Sequence, residues 1–162
     1  MARRKTLWTV FGGIVLVVVG AVAWWLLSPL FINKEVEETF PTAGTEASAT
    51  KIRSGNFRDA DSFHKGSGQA IIYRLANGSR ILRLENFKST NGPALHVLLA
   101  SHPNPQKSSE LKGKGFVDLG DLKGNIGNQN YPIPAGVNVS KQGSAIIYCK
   151  TFSVIFSVAS LK

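Results

Sequence analysis

Residues Gln69–Phe87 read QAIIYRLANGSRILRLENF. A β-branched and aromatic run, Gln69–Leu75, leads to Asn77-Gly78, and apolar content resumes over Arg80–Phe87. Asn-Gly between two such runs is a strong hairpin signal, because both residues tolerate the positive φ of a tight turn. In the second run Leu82 and Leu84 point one way, and Ile81, Arg83 and Glu85 the other. That alternation predicts an antiparallel sheet with one core face and one wet face.

The same pattern continues outward. Ala94–Ala100 is a further run, bounded by Gly92-Pro93 and Pro103, and Phe116–Leu119, Tyr131–Ile133, Ala145–Cys149 and Val154–Ala159 supply more. The chain's 16 Gly and 7 Pro punctuate these runs at short intervals. Many short strands with such turns predict an all-β fold, a small β-sandwich or barrel-like domain over residues 51–162. No amphipathic helix is evident after residue 50, and the polar, basic stretch 101–115 (SHPNPQKSSELKGKG) reads as a surface loop. In the C-terminal hairpin Ala145, Ile147 and Cys149 share one face, with Ile146 and Tyr148 on the other. Val154, Phe156 and Val158 share a face across a four-residue connection. Both strands are apolar on both faces, which places them centrally in the sheet.

The N-terminal part is of another kind. Residues Leu7–Ile32 carry no charge, and Arg3, Arg4 and Lys5 precede them. As a helix this run spans roughly 39 Å at about 1.5 Å per residue, against a bilayer hydrocarbon core of about 30 Å. Trp8, Trp24 and Trp25 suit the membrane interface. The expected order is a basic cytoplasmic tail (1–6), a single transmembrane signal anchor (7–32), a linker (33–50) and the β-domain (51–162). The positive-inside rule puts the N-terminus in the cytoplasm and the domain outside the cell membrane. A cleaved signal peptide competes, since Ala21-Val22-Ala23 resembles a cleavage site. Against cleavage, the apolar run continues through Trp24-Trp25-Leu26-Leu27 to Ile32. No cysteine is placed for a lipid anchor, because the sole one is Cys149.

Charge divides along the chain. Residues 1–33 contribute +3, residues 34–50 −3, and residues 51–162 +9, giving the net +9. A basic extracytoplasmic domain favours anionic lipid, an acidic cell-wall polymer or an acidic partner. Nucleic acid is not expected, because no aromatic-basic interleaving marks a platform for it.

Several chemistries drop out. Gly113-Lys114-Gly115 is no phosphate loop, since Ser108 stands where the upstream glycine is needed and no Ser or Thr follows the lysine. Gly66-Ser67-Gly68 lacks the spacing of a nucleophile elbow. His64, His96 and His102 match no zinc pattern with one another or with Cys149, so no metal site is expected. His102 reads as a surface residue, and His96 lies within a strand run. His64 precedes a Gly-Ser-Gly turn, where it either serves the structure or approaches Cys149 as a cofactor-binding group. One extracytoplasmic cysteine cannot form an intrachain disulfide. Cys149 is therefore a buried inert thiol, half of an intermolecular bridge, or a reactive sulfur.

An ordered set of residues carries a family resemblance. It runs Gly55-Asn56-Phe57, His64-x-x-Ser67-Gly68-x-Ala70, Leu84-x-x-Phe87 and Gly92-Pro93-x-Leu95-x-Val97-x-Leu99. It continues through Asp118-Leu119-Gly120-x-Leu122-Lys123-Gly124-Asn125-x-Gly127-x-Gln129-x-Tyr131-x-Ile133-Pro134, and ends with Cys149-x-x-Phe152-x-Val154-x-Phe156 and Ala159-x-Leu161. Over about residues 51–162 the chain resembles the DM-thirteen family, also called the electron transfer DM-thirteen domain. The resemblance implies a small extracytoplasmic β-domain with a redox or electron-transfer role through the cysteine that aligns with Cys149. Two departures stand out. The family usually has Trp before that cysteine, where this chain has Tyr148. It also usually has Asp and Tyr in the preceding segment, where Asn138 and Gln142 stand here.

The sequence thus predicts a membrane-anchored module with Cys149 as its reactive group and His64 as a cofactor-binding candidate. The alternative is a non-catalytic cell-surface binding or adhesion module with a basic face. Neither reading names a cofactor, substrate or redox partner.

Overall fold

The computed structural model describes residues 2–27, 32–41, 49–113 and 115–162, with helix side chains described over 11–25. Its described elements are α1 (Ala2–Leu27) and the strands β1 (Thr50–Asp59), β2 (Gly66–Arg74), β3 (Arg80–Ser89), β4 (Leu95–Ala100), β5 (Phe116–Asp121), β6 (Ile126–Ile133), β7 (Ser144–Cys149) and β8 (Val154–Ser160). Residues Asn33–Lys162 form one compact unit, distinct from the helical one.

The eight strands make one antiparallel sheet in the order β5-β4-β7-β8-β1-β2-β3-β6. The sheet curls into a nearly closed barrel. Its edges, β5 and β6, share no ladder, and the segment 122–125 joins them. Leu122 N donates to Leu95 O at 2.7 Å there. Strand register sorts the loops onto two ends. Asp59 pairs with Ser157, Gly66 with Ser89, Leu95 with Cys149, and Lys88 with Ile126. Loops 60–65, 90–94, 122–125 and 150–153 therefore gather at one end, called the mouth below. Loops 75–79, 101–115 and 134–143 gather at the far end.

The barrel interior holds Leu82, Leu84, Val97, Leu99, Tyr131, Ala145, Ile147 and Cys149, among others. The alternation read in β3 and β7 is thus the real one. Burying each large apolar side chain contributes about 1.5–3 kcal/mol, which is why these runs set the fold.

Several expectations change in detail. The Asn77-Gly78 turn is not the tight two-residue form: only Gly78 has positive φ, at 80°. Gly78 N donates to Leu75 O, and Leu75 N to Ser79 O. This is a longer loop ending in one left-handed residue, a standard hairpin alternative. In β8, Val158 does not share a face with Phe156. Ile147 pairs with Ser157 and Tyr148 with Ile155, so Phe156 is an extra residue in the ladder. That bulge flips the parity, sending Val158 outward and Ala159 and Leu161 inward.

The outer face of β3 is not wet. Ile71, Tyr73, Leu75 and Ile81 form a second cluster under Phe40, and Arg83 is only 8% exposed. The cover is residues 33–41, a stretch assigned by sequence to the linker. It runs parallel to β6, bridging Glu35 to Ile126. Val36 N donates to Ile126 O at 2.9 Å, and Glu38 N to Asn128 O at 2.8 Å. Loop 101–115 also covers apolar surface. Its short 3-10 helix, Ser108–Leu111, buries Leu111 against Leu98, Ile146 and Val158.

The described side chains of α1, residues 11–25, are exposed all round the helix. Among the described residues no helix is long and apolar enough to cross a membrane. The residues that would complete the expected span, Leu7–Val10 and Leu26–Phe31, have no described side chains.

Candidate functional site

The chemistry-bearing side chains collect at the barrel mouth. Cys149 ends β7 there, fully buried and facing the interior. Its thiol donates to Pro93 O at 3.1 Å. The loop 90–94 lies over it, and Gly92 lets that loop sit close. A Cβ on Gly92 would fall 2.5 Å from Phe156 Cζ. Pro93 and Ala94 are exposed, so one short loop separates this thiol from solvent.

His64 reaches the same end of the barrel by another route. Its ring lies on Phe156, 4.3 Å between centroids, and Nδ1 meets Asp61 Oδ2 at 2.7 Å. Asp61 Oδ1 also accepts from the N–H groups of Phe63 and His64, both at 2.8 Å. The His64 hydrogen bond, then these two N–H groups, hold the Asp61 carboxyl down at about 2. His64 and Cys149 make no hydrogen bond to each other; Phe156, which carries the His64 ring, belongs to the cluster that buries Cys149. Nε2 of His64 has no hydrogen-bond partner among the described residues and is the atom left for a ligand.

A third group was not evident from spacing. On the outer face of β4, His96 Nδ1 meets Asp118 Oδ1 at 3.1 Å and Nε2 meets Asp121 Oδ1 at 2.8 Å. Lys150 Nζ reaches Asp118 Oδ2 at 2.6 Å. Burial alone raises the Asp118 pKa, but hydrogen bonds from Lys150, Gly120 N–H and His96 outweigh it and hold the carboxyl below 3.8. The two carboxylates take opposite nitrogens of one ring, so they do not converge on a common ion. Among the described residues no group of three or more His, Cys, Asp or Glu side chains is placed to hold a metal. His102 lies at the far end, where its Nδ1 accepts from Asn104 N.

The carboxylates Asp59, Asp61, Asp118 and Glu38 all sit below their ordinary values. The unfolded chain therefore binds more protons in acid, and stability falls with pH there. The contribution is complete above the ordinary values of 3.8 for Asp and 4.5 for Glu. It is lost as pH drops through the lower folded values, about 2 for Asp61. Denaturant midpoints measured between pH 5 and pH 2 should fall steadily, and Asp118→Asn should flatten part of that fall. An unchanged slope in the variant would remove Asp118 from this account.

A small antiparallel barrel, with one cysteine buried at its mouth beneath a Gly-Pro loop, defines the class of this protein. A family profile described as Electron transfer DM13 matches residues 56–161, and the chain belongs to that family. No curated protein matches the chain, and no solved structure does.

Proposed function

We propose that the protein is a membrane-anchored, extracytoplasmic DM13 domain in which Cys149 exchanges electrons with an external disulfide. The observation that carries this reading is the position of the chain's only cysteine, one loop below the surface of the barrel mouth. Family membership supplies the electron-transfer character. The anchor rests on the uncharged run Leu7–Ile32, the basic residues before it, and the apolar side chains exposed around α1.

The chemistry requires that loop 90–94 open and that the thiol lose its proton to solvent. The thiolate then attacks one sulfur of the external disulfide. A bond forms between Sγ and that sulfur, the old S–S bond breaks, and the other half leaves as a thiolate. Cys149 is oxidised to its half of a mixed disulfide, and the leaving sulfur is reduced to a thiolate by taking the electron pair of the broken S–S bond. His64, with Nε2 open at the mouth, is the residue to hold a polar part of the reactant.

Thiol labelling of the folded chain tests this reading. Wild type should react slowly with an aromatic disulfide reagent. Gly92→Ala, whose methyl displaces the loop from Phe156, should react roughly tenfold faster, equivalent to about 1.4 kcal/mol of opening. A thiol that reacts only on global unfolding, in both chains, would sink the redox role.

A second reading is favoured by charge. Lys51, Arg74, Lys107, Lys112, Lys141 and Lys162 lie towards the far end, and among the described residues none pairs with a carboxylate. Such a face suits an acidic wall polymer or anionic lipid. It needs no thiol, so Cys149→Ala would leave that binding intact.

A further inference from the structure

We propose that the barrel mouth is a lipid-docking surface, seated on a bilayer by Phe63 and Phe152; this rests on the anchored reading above. Phe63, in loop 60–65, is 82% exposed, and Phe152, in turn 150–153, is 67% exposed. The β1–β8 pairing, with Asp59 opposite Ser157, makes these loops neighbours on the rim. Lys150 N donates to Ala94 O, which brings the exposed Pro93 and Ala94 beside them. Two aromatic rings held out at one end of a barrel have no packing role, and exposed apolar groups that cluster mark an interaction surface.

The chemistry of the rim narrows the partner. Its charged groups are largely engaged with one another: Lys65 with Asp59, Lys150 with Asp118, His64 with Asp61, and His96 with Asp121. Lys34 and Lys88 stand without a carboxylate partner toward this end, against the six cations named above at the far end, so among the described residues the rim carries the smaller share of free charge to steer an acidic partner. Rings above a nearly charge-balanced rim fit the boundary between headgroups and acyl chains, where apolar burial does the binding.

Connectivity then selects the bilayer over a protein. The chain enters the domain at Asn33, and Asn33 sits at the mouth, accepting from Asn125 Nδ2 at 2.9 Å. The apolar run ends at Ile32, so no spacer separates it from the mouth. The strap then runs along β6 toward the far end, carrying the chain away. On the anchored reading, the tether therefore joins the domain at its mouth and not at its basic end. The surface also carries the loop over Cys149, so docking would hold that loop at the membrane interface.

The full chain in phosphatidylcholine nanodiscs, with and without about 30% phosphatidylglycerol, tests the proposal by amide hydrogen exchange. Loops 60–65 and 150–153 should exchange about fivefold or more slowly in wild type than in Phe63→Ser/Phe152→Ser in the same discs. Strand amides should match in both chains, which shows that the variant is folded. The protection should appear in both lipid mixtures and survive about 0.5 M salt, since it does not depend on free charge. Protection confined to the anionic discs and lost in salt would overturn the aromatic seat, as would loops that exchange equally fast in both chains. A chain that elutes apart from the discs would overturn the anchored reading and this proposal together. Co-elution with unprotected loops would overturn the docking alone.

Discussion

Gly127→Ala in the full chain is expected to lift the strap 33–41 off β6 and cost roughly 3 kcal/mol of stability. Two costs meet at this position. Its φ of 103° lies where L side chains are strained, and an added Cβ would run into Val36 O, with Glu37 Oε1 at 2.6 Å. The strap cannot yield cheaply, because much depends on it. Glu38 accepts from Lys123 Nζ at 2.7 Å and from Asn130 N at 2.7 Å, while Arg83 Nη1 donates to Glu38 O at 3.1 Å. Phe40 packs edge-on against Tyr73 at 5.1 Å. Losing the strap leaves Arg83 without that partner and uncovers Ile71, Tyr73 and Ile81. Gly120→Ala is the control: φ there is 109°, but an added Cβ meets nothing within 4 Å. It should cost only the backbone strain, about 1–2 kcal/mol. Denaturant unfolding of both variants, with limited proteolysis inside residues 33–41, reads the difference. Equal losses, with the strap no more readily cut in Gly127→Ala, would mean that the strap is not held by this close approach.

The strap also shows what the sequence could and could not reveal. Residues 33–41, NKEVEETFP, hold only two large apolar side chains, and the parallel pairing is made by backbone groups. Nothing in its periodicity announces a strand. The signal lay instead in its partner: Gly124 and Gly127 both face the strap, and any side chain there would collide with Lys34 or Val36 backbone. Where a side-chain pattern did the sorting, the reading was sound. Ala145, Ile147 and Cys149 face inward together because period-two burial is written in residue type. It failed at Val158 because a bulge changes parity without changing composition. The mouth was half legible. Cys149 stood out as the lone cysteine, but the carbonyl of Pro93 that holds it is invisible to any motif. The His96 group was missed because its members come from positions 96, 118, 121 and 150, on three parts of the chain that only the sheet order brings together.

Gln129→Leu is expected to be as damaging, at roughly 4 kcal/mol, although it replaces a polar core residue with an apolar one of similar size. Gln129 is fully buried. Its Oε1 accepts from Tyr131 Oη at 2.7 Å and from Gly124 N at 3.2 Å, and its Nε2 donates to Gly124 O at 2.8 Å. Tyr131 Oη in turn accepts from Lys123 N at 3.0 Å. Leucine would orphan a backbone donor, a backbone acceptor and a phenol, each costing about 1–3 kcal/mol when buried unpaired. Burial also explains why the Tyr131 hydroxyl is pushed well above its usual range: desolvation outweighs the Lys123 N–H, and the Glu38 and Asp121 charges add to it. Tyr131→Phe removes a single hydroxyl from the same network and should cost less, about 1–2 kcal/mol. The double variant should fall well short of the sum, since both act on one network. Location decides the consequence. Residues 122–125 are where β5 and β6 meet without a ladder, so this network closes the barrel in place of strand pairing. Hydrogen exchange in Gln129→Leu should therefore rise first in 122–125 and β5, while the β2–β3 hairpin keeps its protection. A uniform rise across all strands, or a loss under about 1 kcal/mol, would show that the barrel closes by other means.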